Sequence, residues 1–265
     1  MNRRDLPPLT EPPSVSAMKN IAIITGGSRG IGAATAILLA KSGVDICLSY
    51  QSDKASADAV VATCLAQGVQ AIAVQADVGM REDIVRLFAT CDAELGCPNV
   101  LINNAGIVGE AGKLVDLKPA VLQRVFEVNL FGAVYCCQEA IKRMAKSAGG
   151  AGGSIVNISS MAAKFGSPNE YIHYAASKGA LDSMTIGLAK EVGPEGIRVN
   201  AIHSGTADTD IHERSGNPDR PAMVASINPL GRVARPEEIA EAAVWLALEK
   251  SSYTNGAIMP VTGGM

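Results

Sequence analysis

The chain is expected to fold as one doubly wound α/β domain around a mostly parallel, seven-stranded sheet. Three observations predict this. Short apolar runs alternate with longer helix-patterned stretches over residues 18–265, a glycine-rich turn follows the first run, and small polar clusters follow most of the others. Such alternation implies right-handed crossovers and a parallel sheet covered by helices on both faces. In such sheets ligands bind beyond the carboxyl ends of the strands.

The elements follow in order. Residues 19–25 form an apolar run that ends at glycines, as a buried parallel strand does. Residues 31–41 have helical spacing and stop at Ser42-Gly43. Strands are expected at 45–49, 69–74 and 98–102, separated by an Ala-rich helix over 54–67 and an amphipathic helix over 81–95. A longer helical region spans 119–147, and the glycine run 149–153 is a flexible connection. Strands at 154–159 and 198–202 flank a helix over 172–191 that Gly193-Pro194 closes. Residues 204–229 read as a polar, Gly/Pro-punctuated stretch, followed by a helix over 236–249 and a last strand at 257–261.

With 265 residues and 48% hydrophobic content, the chain can bury one sizeable core. A net charge of −3 argues against a nucleic-acid partner. The six cysteines (47, 64, 91, 97, 136, 137) lack paired zinc-type spacing and read as reduced core residues. Residues 1–17 are rich in proline and are expected to be a disordered arm or leader, leaving 18–265 as the domain. Arg3-Arg4 is not followed by an apolar segment, so no secretory signal is expected. No run of the ~20 apolar residues that a bilayer requires is free of charge, so no membrane partner is expected. A cytoplasmic location is the default.

The glycine-rich turn is Thr25-Gly26-Gly-Ser28-Arg29-Gly30-Ile31-Gly32. A turn of this kind lets backbone N–H groups at a helix N-terminus approach a pyrophosphate. Its placement after the first strand points to a Rossmann-type dinucleotide site, although the spacing G-x-x-x-G-x-G differs from the usual fingerprint. The second strand ends Ser49-Tyr50-Gln51-Ser52, with no acid before Asp53 to accept from a ribose 2′-hydroxyl. Arg29 suits a 2′-phosphate, with Ser49, Gln51 and Lys54 as further contacts. NADP(H) is therefore favoured and NAD(H) stays possible, since Arg29 can equally be a surface charge. Asp77, with Val78 beside it, either accepts from the adenine amino group or caps the next helix near Arg81. Asn103-Asn104-Ala105-Gly106 is small and polar, as a dinucleotide-contacting turn requires, and Asn103 alternatively braces the sheet.

Tyr174 and Lys178 stand four residues apart on one expected helix, so phenol and ammonium share a face. A free tyrosine, with a pKa of about 10, is a poor base. A nearby ammonium and an oxidised nicotinamide would stabilise the phenolate, and a drop of ~3 units needs about 4 kcal/mol. Ser160 ends the fifth strand and can orient a substrate oxygen. Asn129 lies mid-helix, where asparagine is a poor helix former. Either it turns inward to hold a water, or it makes a local backbone bond that kinks the helix. His173, His203 and His212 lack metal-ligand spacing and read as pocket lining or surface polarity, so no metal is expected.

Over residues 19–264 these motifs, with the ending Val261-Thr-Gly-Gly264, resemble the short-chain dehydrogenase/reductase family. The resemblance implies reversible hydride transfer between a nicotinamide and a small carbonyl or alcohol substrate. It implies Tyr174 as proton donor or acceptor, Lys178 lowering its pKa, Ser160 polarising the oxygen and Asn129 supporting a water-linked relay. Gly205 and Thr209 fall where such chains bind the carboxamide or phosphate, and a homotetramer or dimer is implied. The second half resembles bacterial sugar or acyl-carrier ketoreductases.

Two departures stand out. Ser160 lies fourteen residues before Tyr174, one more than is common in the family, and is preferred over Ser159; Tyr171 is a decoy, seven residues from Lys178. Ser204 replaces the proline that commonly precedes Gly205, so a looser turn is expected. Charged residues Asp208, Asp210, Glu213, Arg214 and Arg220 make the segment after it polar: either a lid suited to a small polar substrate rather than a sterol, or simply a solvated loop. An NAD-dependent alcohol or sugar dehydrogenase and a silent dinucleotide-binding sensor are the alternatives.

Overall fold

The structure, a computed structural model, describes residues 20–265. The arm expected over residues 1–17 lies outside them, as do the side chains of His212 and Arg214. Seven strands form one sheet in the order β3-β2-β1-β4-β5-β6-β7. They are β1 (Ile21–Ile24), β2 (Asp45–Tyr50), β3 (Ala71–Gln75), β4 (Val100–Asn103), β5 (Gly153–Ser160), β6 (Ile197–Ser204) and β7 (Ile258–Val261). Every neighbouring pair is parallel.

Alternation along the strands divides the core in two. Ala22 and Ile24 of β1 join one apolar cluster with α1 (Gly30–Lys41), α2 (Lys54–Leu65) and α10 (Pro236–Ala247). Ile21 and Ile23 join the other, with α3 (Arg81–Glu94), α5 (Gly132–Met144) and α7 (Ile172–Val192). Each such fully buried side chain contributes roughly 1.5–3 kcal/mol, which is why both faces of the central strands are apolar. Five cysteines are buried in this core, Cys97 is exposed, and all six are unpaired thiols.

The long helix expected over 119–147 is interrupted. α4 (Pro119–Phe126) passes through a π-helical turn, Glu127–Phe131, into α5. The rod Pro119–Met144 has the length and hydropathy of a membrane span. It nevertheless packs on α3 and α7 and carries Arg124, Glu127, Glu139, Lys142 and Arg143. The stretch 204–229, read as irregular, contains α8 (Ile211–Arg214) and α9 (Arg220–Ile227). A single-turn α6 (Ala162–Phe165) follows β5 and was not expected, because four residues give too little periodicity to detect.

Strand order reverses between β1 and β4, whose carboxyl ends open a crevice there. Gly26 lies in the left-handed region, with φ +63°, and places the turn against Ala105. A Cβ on Gly32 would stand 2.4 Å from both Asn104 Nδ2 and the Gly26 carbonyl oxygen. Gly32→Ala should accordingly lower the unfolding free energy by about 1–3 kcal/mol, measured by denaturant titration. An unchanged midpoint would show that the turn relaxes freely.

Candidate active site

The crevice opens into a chamber of about 910 Å³ at the carboxyl edge of the sheet. Gly26, Ser28, Arg29, Gly30 and Ile31 line one wall, Asn104, Ala105 and Gly106 the adjoining one. Gly32 lies underneath, where α1 meets β1 and Asn104. Asn104 Nδ2 donates to the carbonyls of Thr25 (2.9 Å) and Gly26 (3.0 Å). The Thr25 hydroxyl accepts from the N–H groups of Asn104 and Ala105, both at 3.0 Å. A cradle too tight for a Cβ, at the start of α1, fits a pyrophosphate held by backbone N–H groups. Asn103 does not line the chamber. Its Nδ2 donates to Asn157 Oδ1 at 2.9 Å, so the bracing alternative is the one found.

Tyr50, Gln51, Asp77 and Val78 line the end of the chamber beside β2 and β3. Asp77 does not cap α3, whose N-cap is Met80. Its carboxylate accepts from Arg124 Nη2 (2.6 Å), Gln51 Nε2 (3.2 Å) and the Gly79 N–H (2.9 Å). Arg29 is not a bare surface charge, because Nη1 donates to Asp210 at 2.8 Å and Nη2 lies 3.5 Å from Asp53. Two contacts expected there differ. Lys54 turns away to Asp58 (2.7 Å), an i,i+4 pair on an exposed face, and the Ser49 hydroxyl accepts from the Gly26 N–H at 3.2 Å. Arg124 was not singled out in the sequence, where it reads as an ordinary exposed helix charge.

Tyr174, Lys178 and Gly205 line the other end, whereas Thr209 lies against Gly30 of the glycine turn. Lys178 is 4% exposed; its ammonium donates to the Ile158 carbonyl at 2.7 Å and stands 5.8 Å from the Tyr174 ring centre. Tyr171 also lines the chamber, but its hydroxyl stands 3.5 Å from Ser215 Oγ. Burial raises the Tyr174 pKa above the ordinary phenol value, while the Ser160 hydrogen bond and the Arg220 charge pull it down. The phenol is therefore neutral here, because desolvation outweighs the charges of the chain that reach it. Burial also pushes Lys178 down to about 8, and the Asp182 carboxylate partly offsets this.

Asn129 is buried within the π-helical turn. Its Oδ1 accepts from the Ile107 N–H (2.9 Å), and its Nδ2 donates to the Ile107 carbonyl (2.8 Å) and Ser177 Oγ (3.1 Å). The amide thus turns inward and the helix is disturbed there, but its backbone partner is 22 residues away rather than local. Ser177, three residues beyond Tyr174, was missed. Ser160 Oγ accepts from the Ala162 N–H at 3.1 Å and lies close enough to the Tyr174 phenol to favour its ionised form. Ser204 stands in a hydrogen-bonded turn. Its hydroxyl donates to the Gly205 carbonyl at 2.8 Å, and the Gly205 N–H donates to Val261 at 2.9 Å.

A second network lies behind Lys178. Ser159 Oγ donates to Asp182 Oδ1 (2.6 Å) and approaches the Lys178 carbonyl (3.3 Å), while His203 Nε2 meets Asp182 Oδ2 at 2.6 Å. Ser159 and His203 are 2% and 3% exposed, so His203 is neither pocket lining nor surface. His173 is also buried, its Nε2 3.0 Å from the Val108 carbonyl. Asp182 four residues after Lys178 was the available signal, visible as one helical face. Among the described residues no group of three or more His, Cys, Asp or Glu is placed to hold a metal.

A glycine cradle and a tyrosine–lysine pair opening on one chamber at the switch point characterise oxidoreductases that use a nicotinamide dinucleotide. A family model described as enoyl-(acyl carrier protein) reductase matches residues 26–265. The uncharacterised oxidoreductase YgfF of Escherichia coli K12 is 43% identical over 244 residues, 92% of this chain and 99% of the relative. The cis-4-hydroxycyclohexanecarboxylate dehydrogenase of Sinomonas cyclohexanicum is 37% identical over 247 residues, 93% and 96% of the two chains. A crystal structure of a blue fluorescent protein from a metagenomic library, in complex with NADPH, superposes with a TM-score of 0.84 at 35% identity. That match covers 92% of this chain and 97% of the other. The chain belongs to the short-chain dehydrogenase/reductase family.

Asp182→Asn removes the charge that supports the buried ammonium, so the Lys178 pKa should fall further below about 8. The ammonium would then deprotonate at lower pH. NMR titration of the lysine side chain in both proteins measures the shift, and coincident curves would show that Asp182 is electrostatically idle.

Proposed function

We propose that the protein is an NADP(H)-preferring oxidoreductase that interconverts a carbonyl compound and its alcohol, with Tyr174 as proton donor or acceptor. The observation that carries this reading is the meeting of Tyr174 and Lys178 within the chamber that the glycine turn opens, with Ser160 acting on the phenol from beside it. Gly26 to Gly32 would hold the pyrophosphate, Asp77 and Val78 the adenine, and Asn104 to Gly106, Gly205 and Thr209 the nicotinamide half. The bound nicotinamide supplies or accepts the hydride.

In reduction, the neutral Tyr174 phenol donates its proton to the carbonyl oxygen, which the Ser160 hydroxyl orients. The Lys178 ammonium stabilises the phenolate left behind and holds the ribose. Asn129, by fixing the π-helical turn beside Ile107, supports a water-linked path that returns a proton to Lys178 and Tyr174. Near neutrality the phenol carries the proton that reduction needs. Alcohol oxidation needs the phenolate, and so depends on a charged Lys178.

Arg29 is the group proposed to read the 2′-phosphate, with Gln51 and Tyr50 beside it, and the NADPH-bound relative supports this choice. Asp53, 3.5 Å from Arg29, favours the alternative in which an acid accepts from the 2′-hydroxyl of NAD. The substrate class, a small carbonyl or alcohol compound, is supported by the relative named for a hydroxycyclohexanecarboxylate. A cytoplasmic dimer or tetramer completes the reading, since Leu122, Phe131 and Ile186 stay exposed along the α4–α5 rod and α7.

Tyr174→Phe should lower kcat for NADPH-dependent carbonyl reduction by roughly 10²–10⁴-fold. Tight NADPH binding with no turnover in either protein would favour the silent sensor. Arg29→Ala should weaken NADPH binding by roughly ten- to a hundredfold and NADH binding much less. Equal losses would remove Arg29 as the phosphate reader.

A further inference from the structure

Arg220, at the first turn of α9, lines the same chamber as Tyr174. Its guanidinium carbon stands 5.3 Å above the Tyr171 ring. Its Nη1 donates to Glu170, its hydrogen-bond partner among the described residues. Tyr171 is itself fixed, 2% exposed, and its hydroxyl accepts from Asn217 Nδ2 at 3.4 Å. The guanidinium is therefore clamped between an aromatic face and one carboxylate. A guanidinium has five N–H donors in a planar fork, and Glu170 engages one edge.

The other charges of the chamber are committed or distant. Lys178 donates to Ile158, and Arg29 and Arg124 stand at the adenosine end with Asp210, Asp53 and Asp77. Glu110, the remaining acid at this end, pairs with Lys118 at 2.9 Å. The Arg220 charge reaches the Tyr174 phenol, where it favours the ionised form.

We propose that the outer edge of Arg220 binds a carboxylate carried by the substrate, so that the chamber takes oxo acids and hydroxy acids in preference to neutral carbonyl compounds. This rests on the oxidoreductase reading above and adds the substrate class to it. An anion accepted by a preorganised fork in a partly buried wall gains charge-assisted hydrogen bonds without first ordering the side chain. Glu170 holds the fork in place and tempers its charge. Loss of that acid should strengthen anion binding, whereas loss of a merely structural clasp should not.

The test compares 3-, 4- and 5-oxo acids with their methyl esters as substrates for NADPH-dependent reduction. The wild type should prefer the acid of at least one pair by roughly ten- to a hundredfold in kcat/KM. Arg220→Gln should bring that ratio close to one, and Glu170→Gln should raise it. Equal use of acids and esters by the wild type, or a ratio that Arg220→Gln leaves standing, overturns the proposal. If no ketone turns over, calorimetry with the matching hydroxy acids on NADP⁺-saturated protein replaces the rate. Binding of an acid but not its ester, lost in Arg220→Gln, upholds the proposal while the reductase reading fails. No acid-selective binding overturns it.

Discussion

The clamp of Asn104 on the glycine turn is the contact on which the rest of the site depends. The turn leaves β1 and Asn104 leaves β4, the two strands between which the sheet order reverses. By donating to two consecutive carbonyls, Asn104 fixes the mouth of the crevice where both halves of the sheet diverge. Thr25 closes the same contact from the other side with a single hydroxyl that accepts from two backbone N–H groups. These groups are partly buried, and leaving them unpaired would cost about 1–3 kcal/mol each. The start of α1 and the loop Asn104–Gly106 therefore move as one body, which keeps the phosphate cradle in register with the chemical end.

A second constraint is electrostatic. Lys178 is a cation carried into the core on α7, and the fold answers it with the Ile158 carbonyl in front and the Asp182 carboxylate behind. Asp182 in turn is held by Ser159 and His203, which project from neighbouring strands in register with each other. Burial still lowers Lys178 and raises Tyr174, so the ammonium becomes the readier of the two to give up its proton. The cost of burying both is the kind of local destabilisation that a site tolerates when a large two-faced core surrounds it.

Much of this was legible in the chain. The inner strands follow from apolar runs that have to be buried on both faces, and the strand boundaries shifted by only a few residues. Tyr174, rather than Tyr171, was identifiable because helical spacing puts it beside Lys178, and the structure keeps Tyr171 under Arg220 instead. Asn129 marked the disturbed helix because asparagine has little reason to stand in mid-helix. The Asp77–Arg124 pair, the Arg29–Asp210 pair and the His203–Asp182 contact were not legible. Each joins residues at least 21 positions apart, with no periodicity linking them.

By itself the sequence determined the sheet, the crevice and the identity of the groups brought to it, because periodicity and glycine placement act locally. The family follows from the same motifs. Tertiary structure decided what charge state and company those groups keep. Ser159 faces Asp182 while Ser160 faces the phenol, since successive strand residues point to opposite sides. It also decided how strongly burial opposes ionisation of Tyr174, because desolvation depends on everything packed around the ring.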